Sequence, residues 1–135
     1  ERDAKAFEPL SRAYGLPKET PEQRAEKQRV MEAALTGATE APLEIMRLCA
    51  RAVELIEGFA EKGSALAVSD AGVGAAFCRA ALEGASFNVF INTRAMADRE
   101  RAGHYEREAD ALLGEFLPRA ERVLAAVRAR LREAR

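Results

Sequence analysis

The sequence of 135 residues holds no tryptophan, and only 6% of its residues are aromatic. Sandwiches and barrels draw on aromatic and β-branched residues for their half-buried faces, so this scarcity argues against an all-β fold. His104 is the only histidine, and Cys49 and Cys78 are the only cysteines. No Cys-x-x-Cys pair and no His/Cys group with ligand spacing occurs, so no metal centre and no thioredoxin-type redox centre is expected. His104 lies in a polar stretch and reads as a surface residue. Each cysteine sits inside an apolar helical pattern and reads as a core thiol, in keeping with a reducing compartment. An excess of one charge is missing too: 21 basic residues face 22 acidic ones, for a net charge of −1. That balance implies neither nucleic acid nor an anionic membrane as a partner. No signal peptide is read. The one long apolar run, Ser69 to Asn92, contains Arg79 and Glu83 and consists mostly of Ala and Gly, so no membrane span is expected. A cytoplasmic location follows as the expectation.

What is present is alanine, leucine and charge. Apolar residues make up 48% of the chain and charged residues 32%, a helix-bundle composition. The length allows one domain, residues 1–135, with a modest core. The spacing predicts a first helix over Glu1 to Tyr14, with Ala4, Phe7, Leu10, Ser11 and Tyr14 on one face and Gly15 at its end. Thr20-Pro21-Glu22-Gln23 is a capping box with proline at the first helical position. This second helix is expected to end or kink between Gly37 and Ala41, because Pro42 lacks an amide hydrogen and its ring crowds the carbonyl of Ala38. Pro42 then opens a third helix reaching Lys62. It carries two apolar stripes: Ile45, Cys49, Val53, Ile56 and Ala60, and beside them Leu48, Leu55 and Phe59. Two stripes predict burial over a wide face.

The central segment from Ser69 is expected to be the buried helix of the bundle. Ser69 reads as its cap and Asp70 as a first-turn carboxylate favoured by the helix dipole, with Ala65 to Val68 left as an extension of either this helix or the one before it. Gly72, Gly74 and Gly84 are poor helix formers and need a reason, either a close neighbour or a break. After a break near Ala102 to His104, a last helix from Tyr105 to Arg132 places Leu112, Phe116, Ala120, Val123, Val127 and Leu131 on one face. Pro118 should kink it. Arg128, Arg130, Arg132 and Arg135 put cations at its C-terminal end.

Several stretches, taken in order, resemble one family. They are Asp3, Ala6-Phe7, Ala13-Tyr14, Leu16-Pro17-Lys18, Thr20, Arg29 and Ala41-Pro42-Leu43, then Ser69-Asp70-Ala71-Gly72-Val73, Ala80-Ala81-Leu82-Glu83-Gly84-Ala85, Asn88-Val89 and Ile91-Asn92. Over residues 3–98 this set is similar to the cyclodeaminase/cyclohydrolase family, which acts on folate-bound one-carbon units. Members usually begin with two further helices and a glycine-rich segment, which this sequence is expected to lack. The loop before Ser69 often carries asparagines in the family; here it has Ser64, Ala65 and Leu66.

The resemblance implies an all-α antiparallel bundle that forms a homodimer. Its substrate is a tetrahydrofolate derivative, with no prosthetic group and no metal. Two reactions are open: ring closure of formimidoyltetrahydrofolate to the methenyl form with loss of ammonia, or hydrolysis of the methenyl ring. Asp70 is then the catalytic candidate, as an anion beside a positive one-carbon centre. Ser69 is a cap first and a ligand contact second. Asn88 and Asn92, four apart on one helix face, either read the pterin or make a helix–helix bond. Asp3 could join the site or be an exposed helix residue. Lys18 and Arg94 could bind the glutamate carboxylates or remain solvated. A non-catalytic scaffold or folate-binding module is the alternative reading.

Overall fold

The computed structural model describes residues 1–133, with Arg2 and Asp3 described in their backbone alone. Four helices follow one another: α1 (Arg2–Tyr14), α2 (Pro21–Lys62), α3 (Ala65–Ala95) and α4 (Arg99–Leu131). No strand occurs among the described residues. The all-helical expectation therefore holds, but three helix boundaries differ from those read in the sequence.

The first difference is at Pro42. α2 runs through it as one helix of 42 residues. The missing amide hydrogen leaves the Ala38 carbonyl without its intrahelical donor. The side-chain amide of Asn92 on α3 fills that place, donating to the Ala38 oxygen at 3.2 Å. Pro42 itself is fully buried, so packing and a borrowed donor offset the proline. Thr20 caps the start of α2 as the sequence predicts: its side chain accepts from the Gln23 amide at 3.1 Å, and the Gln23 side chain accepts from the Thr20 amide at 3.1 Å.

The second difference is the start of α3. Ser64, not Ser69, is its cap, accepting from the Ala67 amide at 3.3 Å. Ala65 to Val68 are good or neutral helix residues with nothing to stop them, so the helix begins a turn earlier. Asp70 consequently lies in the second turn, beyond the free amides of the helix end.

The third is the α3–α4 turn, which falls at Met96 to Asp98 rather than at Ala102 to His104. Asp98 caps α4 through the Arg101 amide at 3.0 Å. Glu32 of α2 accepts from the Ala97 and Asp98 amides at 2.8 and 3.0 Å. The turn is thus tied by side chains distant in sequence. Ala102 is fully buried inside α4, and α4 continues through Pro118.

The main core joins Leu10 and Ala13 of α1 to Leu43, Met46 and Val53 of α2, Leu82 and Val89 of α3, and Phe116 and Ala120 of α4. A smaller cluster of Val68, Ala75, Val123 and Val127 closes the other end of the α3–α4 pair. Gly72 belongs there. A Cβ on it would stand 2.7 Å from Val127 Cγ1, so the glycine is what lets α4 approach. Polar ties complete the frame. Arg47 of α2 holds Glu108 of α4 through two hydrogen bonds of 2.7 and 2.9 Å. Arg119 of α4 holds Glu57 of α2, and Arg79 of α3 pairs with Glu121 of α4.

The central helix is not buried all round. α3 is long and apolar enough, by length and composition, to cross a membrane. In the bundle one side of it packs, through Val68, Ala71, Ala75, Leu82, Ala85 and Val89. The opposite side is open: Val73, Phe77, Phe87 and Ile91 are each more than half exposed. The second stripe on α2 behaves alike, since Leu48, Leu55 and Phe59 are exposed while Cys49 and Val53 are buried. Four helices cannot surround both, so the wide apolar face read from the sequence is real but half uncovered.

Candidate functional site

Asp70 is exposed on α3 and borders a cleft of about 290 Å³ between α2 and α3, lined also by Ile56, Phe59, Ala67 and Ala71. The carboxylate is thus the only charged group on an otherwise apolar wall. Such a wall favours a flat, weakly hydrated ring, and the anion at its edge favours a delocalised cation. Ser69 beside it is half-buried.

Asn92 is half-buried and bound to the Ala38 carbonyl. Of its two sequence readings, this is the helix–helix hydrogen bond. Asn88, one turn earlier, is exposed. Arg94 is exposed in the last turn of α3, where its charge suits the helix end.

These groups do not meet in one copy of the chain. At 1.5 Å per residue, Asp70 and Asn88 are about 27 Å apart along α3, and Asn92 and Arg94 lie further still. Lys18 is exposed in the connector before α2. The cleft lies near the other end of that helix, whose 42 residues span about 63 Å. The side chain of Asp3 lies outside the described residues.

A second polar group escaped the sequence reading. Glu40, Glu44 and Arg47 share a face of α2 at three- and four-residue spacing. They border a groove of about 470 Å³ with Gly37, Ile45 and Leu48. Tyr105 of α4 donates its hydroxyl to Glu40 at 2.8 Å. Burial, and then that hydrogen bond to Glu40, raise the tyrosine above its ordinary pKa. The bidentate bond to Glu108 raises Arg47 further above an already high value. The spacing on α2 was visible in the sequence; the α4 partners that fix it were not.

His104 is exposed and meets the Tyr105 ring edge-on, with centroids 5.8 Å apart. Its surface position is the one the sequence predicts. Cys49 is buried and Cys78 half-buried, both as free thiols. Burial raises both above the ordinary thiol value, with a smaller push on Cys49 from Cys78. Neither is primed as a nucleophile.

The sequence pattern of the formiminotransferase-cyclodeaminase family matches residues 1–111. The chain belongs to this family. It is 36% identical over 129 residues to the methenyltetrahydrofolate cyclohydrolase of Methylorubrum extorquens, covering 96% of this chain and 62% of that one. It is 31% identical over 131 residues to the rat formimidoyltransferase-cyclodeaminase, covering 95% of this chain and 24% of the rat protein. A crystal structure of formiminotetrahydrofolate cyclodeaminase from Thermotoga maritima shares the fold, with a TM-score of 0.69 and 24% identity, over 93% of this chain and 60% of the other. The chain therefore spans less than two thirds of each of these relatives.

Proposed function

We propose that this chain works on the one-carbon bridge of tetrahydrofolate, in the chemistry of the cyclodeaminases and methenyltetrahydrofolate cyclohydrolases. The observation that carries this reading is membership of the family, with 36% identity to a cyclohydrolase along nearly the whole chain. The folate derivative is the substrate, and no prosthetic group is invoked.

In ring closure, nitrogen-10 attacks the formimidoyl carbon held on nitrogen-5 and gives up its proton; the formimidoyl nitrogen takes up two protons, and the tetrahedral carbon expels it as ammonia to leave the methenyl cation. In ring opening, water adds to that cation and loses a proton. The hydroxyl then gives up its proton as the bond to nitrogen-5 breaks, nitrogen-5 takes one up, and the formyl group stays on nitrogen-10. Both routes pass a tetrahedral carbon next to a delocalised cation. Asp70 is the group we assign to it, as the anion facing that charge and the acceptor of the proton. The apolar wall of Ile56 and Phe59 supports this by offering the pterin a face. Ser69 is a further contact at the same end of α3. Asn88 and Arg94 at the other end, with Asp3 and Lys18, are assigned to the rest of the ligand, while Asn92 is held by the Ala38 carbonyl.

The length of α3 between Asp70 and Asn88 favours a site completed by a second polypeptide surface. The homodimer belongs to this reading. The reversed order of the pairs Ala38–Asn92 and Ile56–Gly74 supports antiparallel packing of α2 and α3. A cytoplasmic location is supported by the two free thiols.

Absorbance of the methenyl product tests the reaction. Cyclodeaminase produces it from formimidoyltetrahydrofolate, and cyclohydrolase consumes it. Asp70→Asn should lower kcat by 100-fold or more with little change in KM, since general acid–base groups contribute about that much. Equal rates in the two proteins would remove Asp70 from the mechanism. One observation favours the alternative of a binding module: no second polar side chain lines the cleft beside Asp70. Folate binding without turnover in either direction is the result that reading expects.

A further inference from the structure

Of the three glycines in α3, Gly74 is the one whose close neighbour can yield. Gly72 makes room for Val127, a stiff β-branched side chain whose Cγ1 would stand 2.7 Å from an added Cβ. A Cβ on Gly84 would meet nothing within 4 Å. A Cβ on Gly74 would stand 3.1 Å from Cδ1 of Ile56 and 3.8 Å from its Cγ1. Cδ1 is the free end of that side chain and turns about χ2 with no movement of either helix. The bundle would therefore accept alanine at position 74, and alanine is the better helix residue. Packing alone does not explain the glycine.

The direction in which Ile56 would turn does explain it. Ile56 is half-buried. On its inner side it packs against the cluster of Val68, Ala75, Val123 and Val127. The open volume it borders is the cleft of about 290 Å³ at Asp70. A Cβ on Gly74 would thus push Cδ1 off α3 and toward the cleft. The end of the cleft is held against widening in reply. Arg130 of α4 donates to the Gly63 carbonyl at 2.7 Å, which ties the turn between α2 and α3 to α4. The Gly63 amide donates to the Phe59 carbonyl at 3.0 Å. A Cβ on Gly63 would stand only 3.0 Å from that of Ala67. Phe59 and Ala67 are two of the cleft walls.

Gly74 lies one turn beyond Asp70, about 6 Å along α3, and touches Ile56 rather than the cleft. We propose that Gly74 is a positioning residue for the pterin. It lets Ile56 lie back on α3, and so keeps the space beside Asp70 open to a flat ring. The wall that the ring meets is set by a side chain that is absent. This inference rests on the assignment of the cleft to the folate made above, and adds to it the residue that sets the width of the cleft.

The test measures Kd for tetrahydrofolate by calorimetric titration under nitrogen, with KM and kcat from methenyl absorbance. Gly74→Ala should raise Kd and KM by about threefold or more while kcat stays within about twofold. Its thermal midpoint should be no lower than that of the parent, because Ile56 yields. Ile56→Val removes the Cδ1 atom, so in that background Gly74→Ala should change Kd by less than about 1.5-fold. Gly84→Ala, the same change on the same helix with no neighbour to displace, should leave Kd and KM as they are. An unchanged Kd in Gly74→Ala overturns the proposal, and so does a loss of equal size in the Ile56→Val background. A lowered thermal midpoint with Kd unmoved also overturns it, since the glycine would then serve packing alone. Asp70→Asn, measured alongside, separates this proposal from the assignment of the cleft. If Asp70→Asn lowers kcat and Gly74→Ala has no effect, the role of Gly74 alone falls. If the parent chain binds no tetrahydrofolate, or neither change alters Kd, KM or kcat, the cleft is not the folate site and both fall.

Discussion

Pro42 and Asn92 are far apart in the sequence and meet through one carbonyl. Proline removes the donor that the Ala38 oxygen needs, and the Asn92 side chain supplies another. Replacing Asn92 by leucine should cost about 1–3 kcal/mol in urea unfolding, because the buried carbonyl then has no donor. In a Pro42→Ala background the alanine amide restores the intrahelical bond, and the same change should cost clearly less. Equal costs in both backgrounds would show that the two residues are not coupled. The glycines of α3 give a second contrast. Gly72→Ala forces a methyl group against Val127, a β-branched residue with little freedom to move. It should destabilise the chain by about 1–3 kcal/mol. Gly84→Ala fills open space and should stabilise the isolated chain by about 0.5–1 kcal/mol. Thermal unfolding of the two variants shows whether the signs differ.

At the scale of elements, α2 and α4 are held by acid–base pairs along their length. The Arg47 guanidinium bonded to Glu108 holds that carboxyl below its ordinary 4.5, and Arg119 does the same for Glu57. Both shifts are depressions on folding. Their stabilisation is therefore complete above the unfolded value and is lost as the pH falls through the lower folded values. Stability should be flat from pH 7 to about 5 and decline below that. Glu108→Gln should flatten the decline, and urea midpoints measured from pH 3 to 7 give the comparison. The boundaries of these helices were only partly legible in the sequence. The capping box at Thr20 and the C-cap at Gly15 are local devices and were read correctly. The Asp98 cap was missed because a serine or aspartate next to apolar residues occurs in several places. Which one serves is decided by the partner that Glu32 provides from another helix. The supposed break at Pro42 failed for the same reason: the compensating donor comes from α3.

For the whole molecule, the open α2–α3 face should govern solution behaviour. Phe77→Glu combined with Phe87→Glu changes two side chains that are at least 70% exposed. The double variant should keep the helical circular dichroism of the parent while binding less of a hydrophobic dye and aggregating less on heating. Loss of helicity would place these rings in the core instead. The family was legible from the sequence because its signature is an ordered set of short motifs, and such a set does not depend on how the helices pack. The all-helical class, the capping of α2, the core stripe through Cys49 and Val53 and the surface place of His104 were legible for a similar reason. They follow from local periodicity and turn chemistry. Only the tertiary structure decided that α2 passes through Pro42, that Asn92 serves Ala38, and that Asp70 and Asn88 stand at distant points of one rigid helix. It also decided that the helix expected to be buried keeps one side open. A sequence shows that a face is apolar, but what covers that face depends on which other helices reach it.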